Sequence, residues 1–299
     1  MKRARKKSKS DIIYGTIIGI FMTLFVIVTL YPILNTLAVS FNDGIDSVRG
    51  GIYLLPRVFT LKNYQTVLSN ENLKQAAVIS VSRTVIGTVL QVFLTAMLAY
   101  VLSRKEFMFK KQLSILYVLT MYVGGGLIPT YILMKNLHLF NNFLVYIIPG
   151  LVSAFNMIVI RTYICGLPDS LVESAKIDGA GEFRIFIQII LPLCKPVLAT
   201  IALFIAVGQW NSWFDSMIYC AGSPSLTTLQ YELMKLLSST TTLSSSSAAT
   251  DVLQQQSNVV TPMSIRAAIT IVTALPIVCL YPFLQKYFVT GLTIGGVKE

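Results

Sequence analysis

One histidine, four scattered cysteines and thirteen acidic residues are all that this 299-residue chain has for catalysis, metal binding or proton transfer. His138 has no second imidazole to work with, so a histidine-based triad or metal cage is excluded. Cys165, Cys194, Cys220 and Cys279 show no paired spacing and read as small apolar fillers. No glycine-rich loop leads into Lys-Ser/Thr. Gly124, Gly125 and Gly126 lie inside an apolar run, where they read as a helix break or a close-packing point. A proton- or ion-coupled carrier needs ionisable groups within its spans, and among the acids only Asp215 lies close to one. The chain therefore lacks energy-coupling chemistry of its own. Either energy is supplied from elsewhere or the protein conducts passively.

Charge is scarce as well. Only 12% of residues are charged against 54% apolar, where a soluble domain carries about 25% charged residues, and the mean hydropathy is +0.69. The charges cluster and leave six long, nearly neutral runs, at 12–42, 75–103, 112–134, 136–160, 196–214 and 267–285. Each is near the ~20 residues that cross a bilayer as a helix. These predict an all-α integral membrane protein with six transmembrane helices. The first run is about twice the apolar core of a signal peptide and lacks a small-residue cleavage pattern, so it reads as a retained span.

Basic residues set the orientation. Lys2, Arg3, Arg5, Lys6, Lys7 and Lys9 fall on one side, with Arg104, Lys105, Lys110, Lys111, Arg161, Lys176, Arg184, Lys195, Lys286 and Lys298. The opposite loops hold only Arg49, Arg57, Lys62, Lys74, Lys135 and Lys235. Both termini are thus expected in the cytoplasm. The net charge of +11 is a topology signal and does not point to nucleic acid. The expected organisation is a basic cytoplasmic N-terminus at 1–11, a six-helix domain at 12–290 and a cytoplasmic tail at 291–299. A long outer loop at 217–265 contains SSTTTLSSSS from Ser238 to Ser247, which reads as a flexible linker or as a lip that touches a delivered ligand.

The segment 168–196 is polar and compact, yet it sits between two strongly apolar runs. Ser170-Leu-Val-Glu173 has the form of a capping box. A short helix should follow and end at Gly179, a residue able to take the left-handed closing conformation. A second helix after Gly181 would carry Phe183, Phe186, Ile187 and Ile190, with Pro192 and Pro196 breaking it. Capping alone explains Glu173 without a partner.

The pattern resembles the cytoplasmic motif of binding-protein-dependent ABC importers: Glu-Ala-Ala, three residues, Gly, then an apolar stretch ending in Leu-Pro. Glu173-Ser174-Ala175, Asp178-Gly179-Ala180, Phe186 and Leu191-Pro192 with Pro196 fall in register, with Ser174 replacing the usual alanine. The Asp-Gly-Ala form and the C-terminal QKYFVTGLTIGGVKE are similar to the second, maltose-type permease of the sugar-importing branch. AVSFND and GGLIPTYILMKNLHLFNN look most like its oligosaccharide subfamily. The resemblance implies an ABC type I importer transmembrane fold in a bacterial cytoplasmic membrane. It implies a non-enzymatic permease, with Glu173, Ser174, Ala175, Asp178, Gly179 and Ala180 on a coupling helix gripped by a cytosolic ATPase dimer. ATP and Mg would be used by that partner, and no cofactor would be bound by this chain. A homologous second permease and an extracytoplasmic solute-binding protein delivering an oligosaccharide complete the expected assembly.

Candidate substrate contacts lie at Gln209-Trp-Asn-Ser-Trp-Phe-Asp215, which combines aromatic rings with amides and a carboxylate. On a continuous helix, Gln209 with Trp213 and Asn211 with Asp215 would share faces. Trp210 and Trp213 equally suit interfacial anchoring. Arg83, alone within a span, would face a cavity or a partner; an arginine suits an acidic sugar, and a packing role is the bland reading. The alternatives are a secondary carrier or channel, a membrane-embedded enzyme, or an importer permease for an amino acid, peptide or other non-sugar solute.

Overall fold

The computed structural model describes residues 9–243 and 260–294. Most of the basic N-terminus, the 244–247 part of the Ser/Thr tract and the last five tail residues lie outside the described residues. Helices carry the described chain in the order α1 Lys9–Ser40, α2 Gly44–Val48, α3 Lys62–Ser69, α4 Glu71–Ser103, α5 Lys110–Tyr122 and α6 Leu127–Asn136. Two short 3₁₀ turns, Phe143–Tyr146 and Ile148–Gly150, precede α7 Ala154–Cys165 and α8 Ser170–Ile177. Then come α9 Glu182–Ile185, a π-helical turn Phe186–Ile190, α10 Leu191–Leu193, α11 Lys195–Asn211 and α12 Phe214–Tyr219. A 3₁₀ turn at Pro224–Leu226, α13 Leu229–Leu243 and α14 Pro262–Ile294 complete it.

Three helices are long and apolar enough to cross a membrane alone: Ile13–Ser40, Glu71–Ser103 and Pro262–Cys279. Counting each of three bent pairs as one span gives up to six: α5 with α6 at 118°, Phe143–Gly150 with α7 at 49°, and Glu182–Leu193 with α11 at 82°. The break between α5 and α6 falls on the glycine triplet, where Gly126 has φ +82°. A 13-residue helix reaches only about 20 Å, so α5 alone falls short of a ~30 Å hydrocarbon core. The fourth run differs from expectation too, since its helix extends to Cys165 and its first half is 3₁₀.

The chain forms two compact units. In residues up to 70 with 236–273, Asn42 organises the connection that follows α1. Its amide oxygen accepts from the backbone N–H of Arg57 (2.8 Å) and Val58 (2.9 Å), and its amide nitrogen donates to Asp46 Oδ2 at 2.9 Å. Asp43 caps α2 by accepting from the N–H of Ile45 and Asp46. Among the described residues, none buries the most apolar stretch of α1. Ser238–Leu243, read from the sequence as flexible, continue α13 as helix. An unbroken helical turn from Leu229 outweighs their polar composition.

In the unit of 71–235 with 274–299, the core joins α4, α7, α8, the π turn and α11. Ala96, Ala99, Met157, Ile160, Ile185, Phe186 and Ile201 are each no more than 1% exposed. Fully buried alanines on α4 let neighbouring helices approach closely. Cys194 and Cys220 fill apolar space as expected, whereas Cys165 is exposed.

Candidate functional site

The polar segment forms a short helix, an elbow and a second helical stretch. α8 ends in a Schellman closure: Ala180 N–H donates to the Ala175 carbonyl at 2.9 Å and Gly179 N–H to the Lys176 carbonyl at 3.0 Å. Gly179 has φ +77°, a conformation that costs a residue with a side chain about 1–2 kcal/mol. The capping box does not form. Asp169 is the N-cap and makes no side-chain cap bond; its carboxylate instead accepts from Lys105 Nζ at 2.6 Å. Ser170 is thereby the first helical residue.

The spacing of α8 divides its residues between two faces. Val172 and Ala175 are buried against the core. Ser170, Glu173, Ser174 and Ile177 face outward, and Ile177 is 86% exposed. Asp178 and Gly179 are also exposed, and Ala180 is half-buried. The small side chain of Ala175 therefore seats α8 on its own chain. Lys176, which the sequence offered only as a topology charge, bridges Glu106 Oε2 at 2.8 Å and Glu182 Oε1 at 2.9 Å. Those hydrogen bonds hold the Lys176 ammonium above its ordinary pKa, with Glu106 the leading cause. Lys105 likewise holds the Asp169 carboxyl below its usual range. Pro192 does not break the second stretch, since it sits in the first turn of α10, where a missing N–H is harmless. The turn to α11 comes at Cys194–Lys195.

A polar cavity lies between α4, α7 and α11. Arg83 on α4 is 2% exposed. Its Nε and Nη2 donate to Gln209 Oε1 at 3.1 and 2.9 Å, Nη2 donates to Asp215 Oδ2 at 2.9 Å, and Nη1 donates to the Ser212 carbonyl at 3.3 Å. The guanidinium also lies 4.4 Å over the Tyr146 ring. Four of its five N–H groups are thus engaged within the chain. Gly87 makes room for this cluster: a Cβ there would sit 3.1 Å from Gln209 Nε2.

The expected helical pairing across 209–215 is not found. α11 ends at Asn211, and Ser212 is extended (ψ 123°) before α12 begins at Phe214. That break carries Asp215 back onto Arg83, where the Ser212 hydroxyl also donates to its Oδ2 at 2.8 Å. Arg83, Gln209 and Asp215 are brought together in the cavity wall. Trp210, Asn211 and Trp213 are not among the lining residues. Trp210 is buried, Asn211 accepts from Gln230 at 3.3 Å, and Trp213 packs edge-on to Phe214. Lining residues that the sequence did not reveal are Gln91, Ser153, Asn156 and Phe204. The one available signal was the Arg83-Gly87-Gln91 row, at the four-residue spacing of a helix ridge.

The profile of the family described as binding-protein-dependent transport system inner membrane component matches residues 3–294. This chain belongs to that family. It is a permease, a transport subunit and not an enzyme, of the multi-pass, all-helical importer fold of the cytoplasmic membrane. It is 34% identical to the polygalacturonan/rhamnogalacturonan transport system permease protein YtcP of Bacillus subtilis, over 96% of this chain and 97% of that protein. It is 37% identical to protein LplC of the same organism, over 91% and 90%. Among solved structures it is similar to a bacterial ABC transporter involved in the import of the acidic polysaccharide alginate, with TM-score 0.85 and 28% identity, covering 95% of this chain and 100% of that one. Permeases of this family work with a partner permease, an ATPase and a binding protein.

Proposed function

We propose that this chain is one permease of an importer that takes up an oligosaccharide handed over by an extracytoplasmic binding protein, driven by ATP and Mg used on a cytosolic ATPase dimer. A homologous second permease would form the other half of the pathway. The observation that carries the reading is the outward face of α8, closed by the left-handed Gly179 and seated on the core by Val172 and Ala175. Glu173, Ser174, Asp178, Gly179 and Ala180 are the residues offered to the ATPase, and Ala175 supports them from beneath. Both termini and the 168–196 segment then lie in the cytoplasm, with the 217–265 loop outside. The carbohydrates named for YtcP and for the alginate transporter support a sugar cargo, with Arg83, Gln209 and Asp215 on its path.

Copurification of the ATPase with wild type, Glu173→Lys and Gly179→Asp tests the coupling assignment. Both variants should lose the ATPase and uptake; retention of both would overturn it. Stimulation of ATP hydrolysis by binding proteins loaded with sugars, amino acids or peptides tests the cargo. Stimulation by amino acids or peptides alone would overturn the sugar reading.

A further inference from the structure

The cavity between α4, α7 and α11 holds more hydrogen-bonding capacity than the Arg83 cluster uses. Its volume is about 350 Å³, within the range of small-ligand sites. Asn156, on the first turn of α7, is 7% exposed and lines it together with Gln91 of α4. Among the described residues neither carboxamide makes a side-chain hydrogen bond. Buried amides are ordinarily paired; Asn156 is buried and Gln91 half-buried, and on facing helices both turn unused donor and acceptor capacity toward the cavity they line. The Ser153 hydroxyl accepts from the Asn156 N–H to cap α7 and keeps its own hydrogen to donate. Phe204 supplies an aromatic surface on the same wall. Asp215 Oδ2 already accepts from Arg83 and Ser212.

We propose that this cavity is a subsite for one uncharged, hydroxyl-rich sugar ring, recognised through Gln91, Asn156 and Ser153 and held electroneutral by the Arg83–Asp215 pair. The proposal rests on the carbohydrate reading above. Each carboxamide both donates and accepts, which matches a hydroxyl. The ring's C–H face would lie on Phe204. The arginine does not make the site one for acidic sugars: its charge is met by Asp215 at 2.9 Å. A uronate placed here would find one spare guanidinium N–H and a facing carboxylate. Gly208 completes the wall. A Cβ built on it meets nothing within 4 Å, so a side chain added there grows into the cavity without disturbing the helix.

The test uses the whole complex in liposomes with its binding protein, supplied with maltotriose, arabinotriose or trigalacturonate. The quantity read is sugar imported per ATP hydrolysed. Asn156→Leu, Gln91→Leu and Gly208→Leu should each lower that ratio for a neutral trisaccharide about tenfold, as expected for losing a hydrogen bond or the space for the ring. Stimulation of ATP hydrolysis by the loaded binding protein should persist, which separates a lost subsite from a misfolded permease. Asp215→Asn, by freeing the guanidinium, should raise trigalacturonate import relative to neutral sugar. Ratios within about twofold of wild type in all three leucine variants would overturn the subsite and leave the carbohydrate reading standing. Import of trigalacturonate as efficient as that of the neutral sugars by wild type would overturn its electroneutrality. If no sugar-loaded binding protein stimulates the wild-type complex, the cargo reading fails and the subsite falls with it.

Discussion

The ion pairs around α8 and the one in the cavity of this permease differ in their surroundings, and that difference gives them different work. Around α8 they are exposed: Lys105 and Asp169 side chains are 82% and 56% accessible, yet their N···O distance is 2.6 Å. In the cavity the Arg83–Asp215 distance is longer, 2.9 Å, but Arg83 is 2% accessible. Exposed pairs contribute about 0–1 kcal/mol each, because water competes for both partners. Breaking a buried pair costs several times more, because the survivor is left charged without water. The shorter bridge is the weaker one. The α8 segment is therefore positioned by Val172, Ala175 and the glycine closure, with its ion pairs trimming the geometry, whereas the cavity depends on its charges being matched.

Breaking the buried pair should give the largest effect. Asp215→Leu should destabilise the purified complex by about 3 kcal/mol, at the lower end for a buried pair because this carboxylate is partly open to the cavity. Removing both charges with Arg83→Met and Asp215→Leu should recover most of that loss, and a thermal-unfolding cycle reads the coupling. Gly179→Ala should cost about 1–2 kcal/mol locally, seen as faster amide exchange at the end of α8 with little change in the global midpoint. Lys176→Met should leave the thermal-unfolding midpoint almost unchanged, as expected for a solvent-screened pair, while measurably lowering ATP-coupled uptake, because it releases α8 from both Glu106 and Glu182. The smallest effect belongs to Lys105–Asp169. The Asp169 pKa is lowered and the Lys105 pKa raised, each chiefly by their shared hydrogen bond. The pair's contribution is therefore present above the ordinary aspartate range and lost as pH falls through the depressed value. It is lost again only above the ordinary lysine range. The stability difference between wild type and Asp169→Asn should stay flat from about pH 5 to pH 9 and close in stronger acid and again in strong base.

What the sequence disclosed follows the range over which each signal acts. Gly179, the apolar runs and the glycine triplet at 124–126 act within a few residues, and each appears where local chemistry placed it. The capping box at Ser170 failed because the helix starts one residue earlier, with the Asp169 carbonyl accepting from the N–H of Val172 and Glu173. The shared faces across 209–215 failed because Ser212 gives its carbonyl to Arg83 and leaves the helix. Arg83 was legible as a lone charge in an apolar run. Gln91 and Asn156 were not, since a carboxamide in a helix becomes notable only when the fold withholds its partner.

The matched charge of Arg83 and Asp215 has an electrical consequence. Moving one elementary charge through the membrane field involves about 2.3 kcal/mol per 100 mV, so a bare guanidinium carried along by rocking spans would make every transport cycle sensitive to voltage. Paired with Asp215 at 2.9 Å, it moves as a dipole of no net charge. Import of a neutral sugar past it would draw no current at this site.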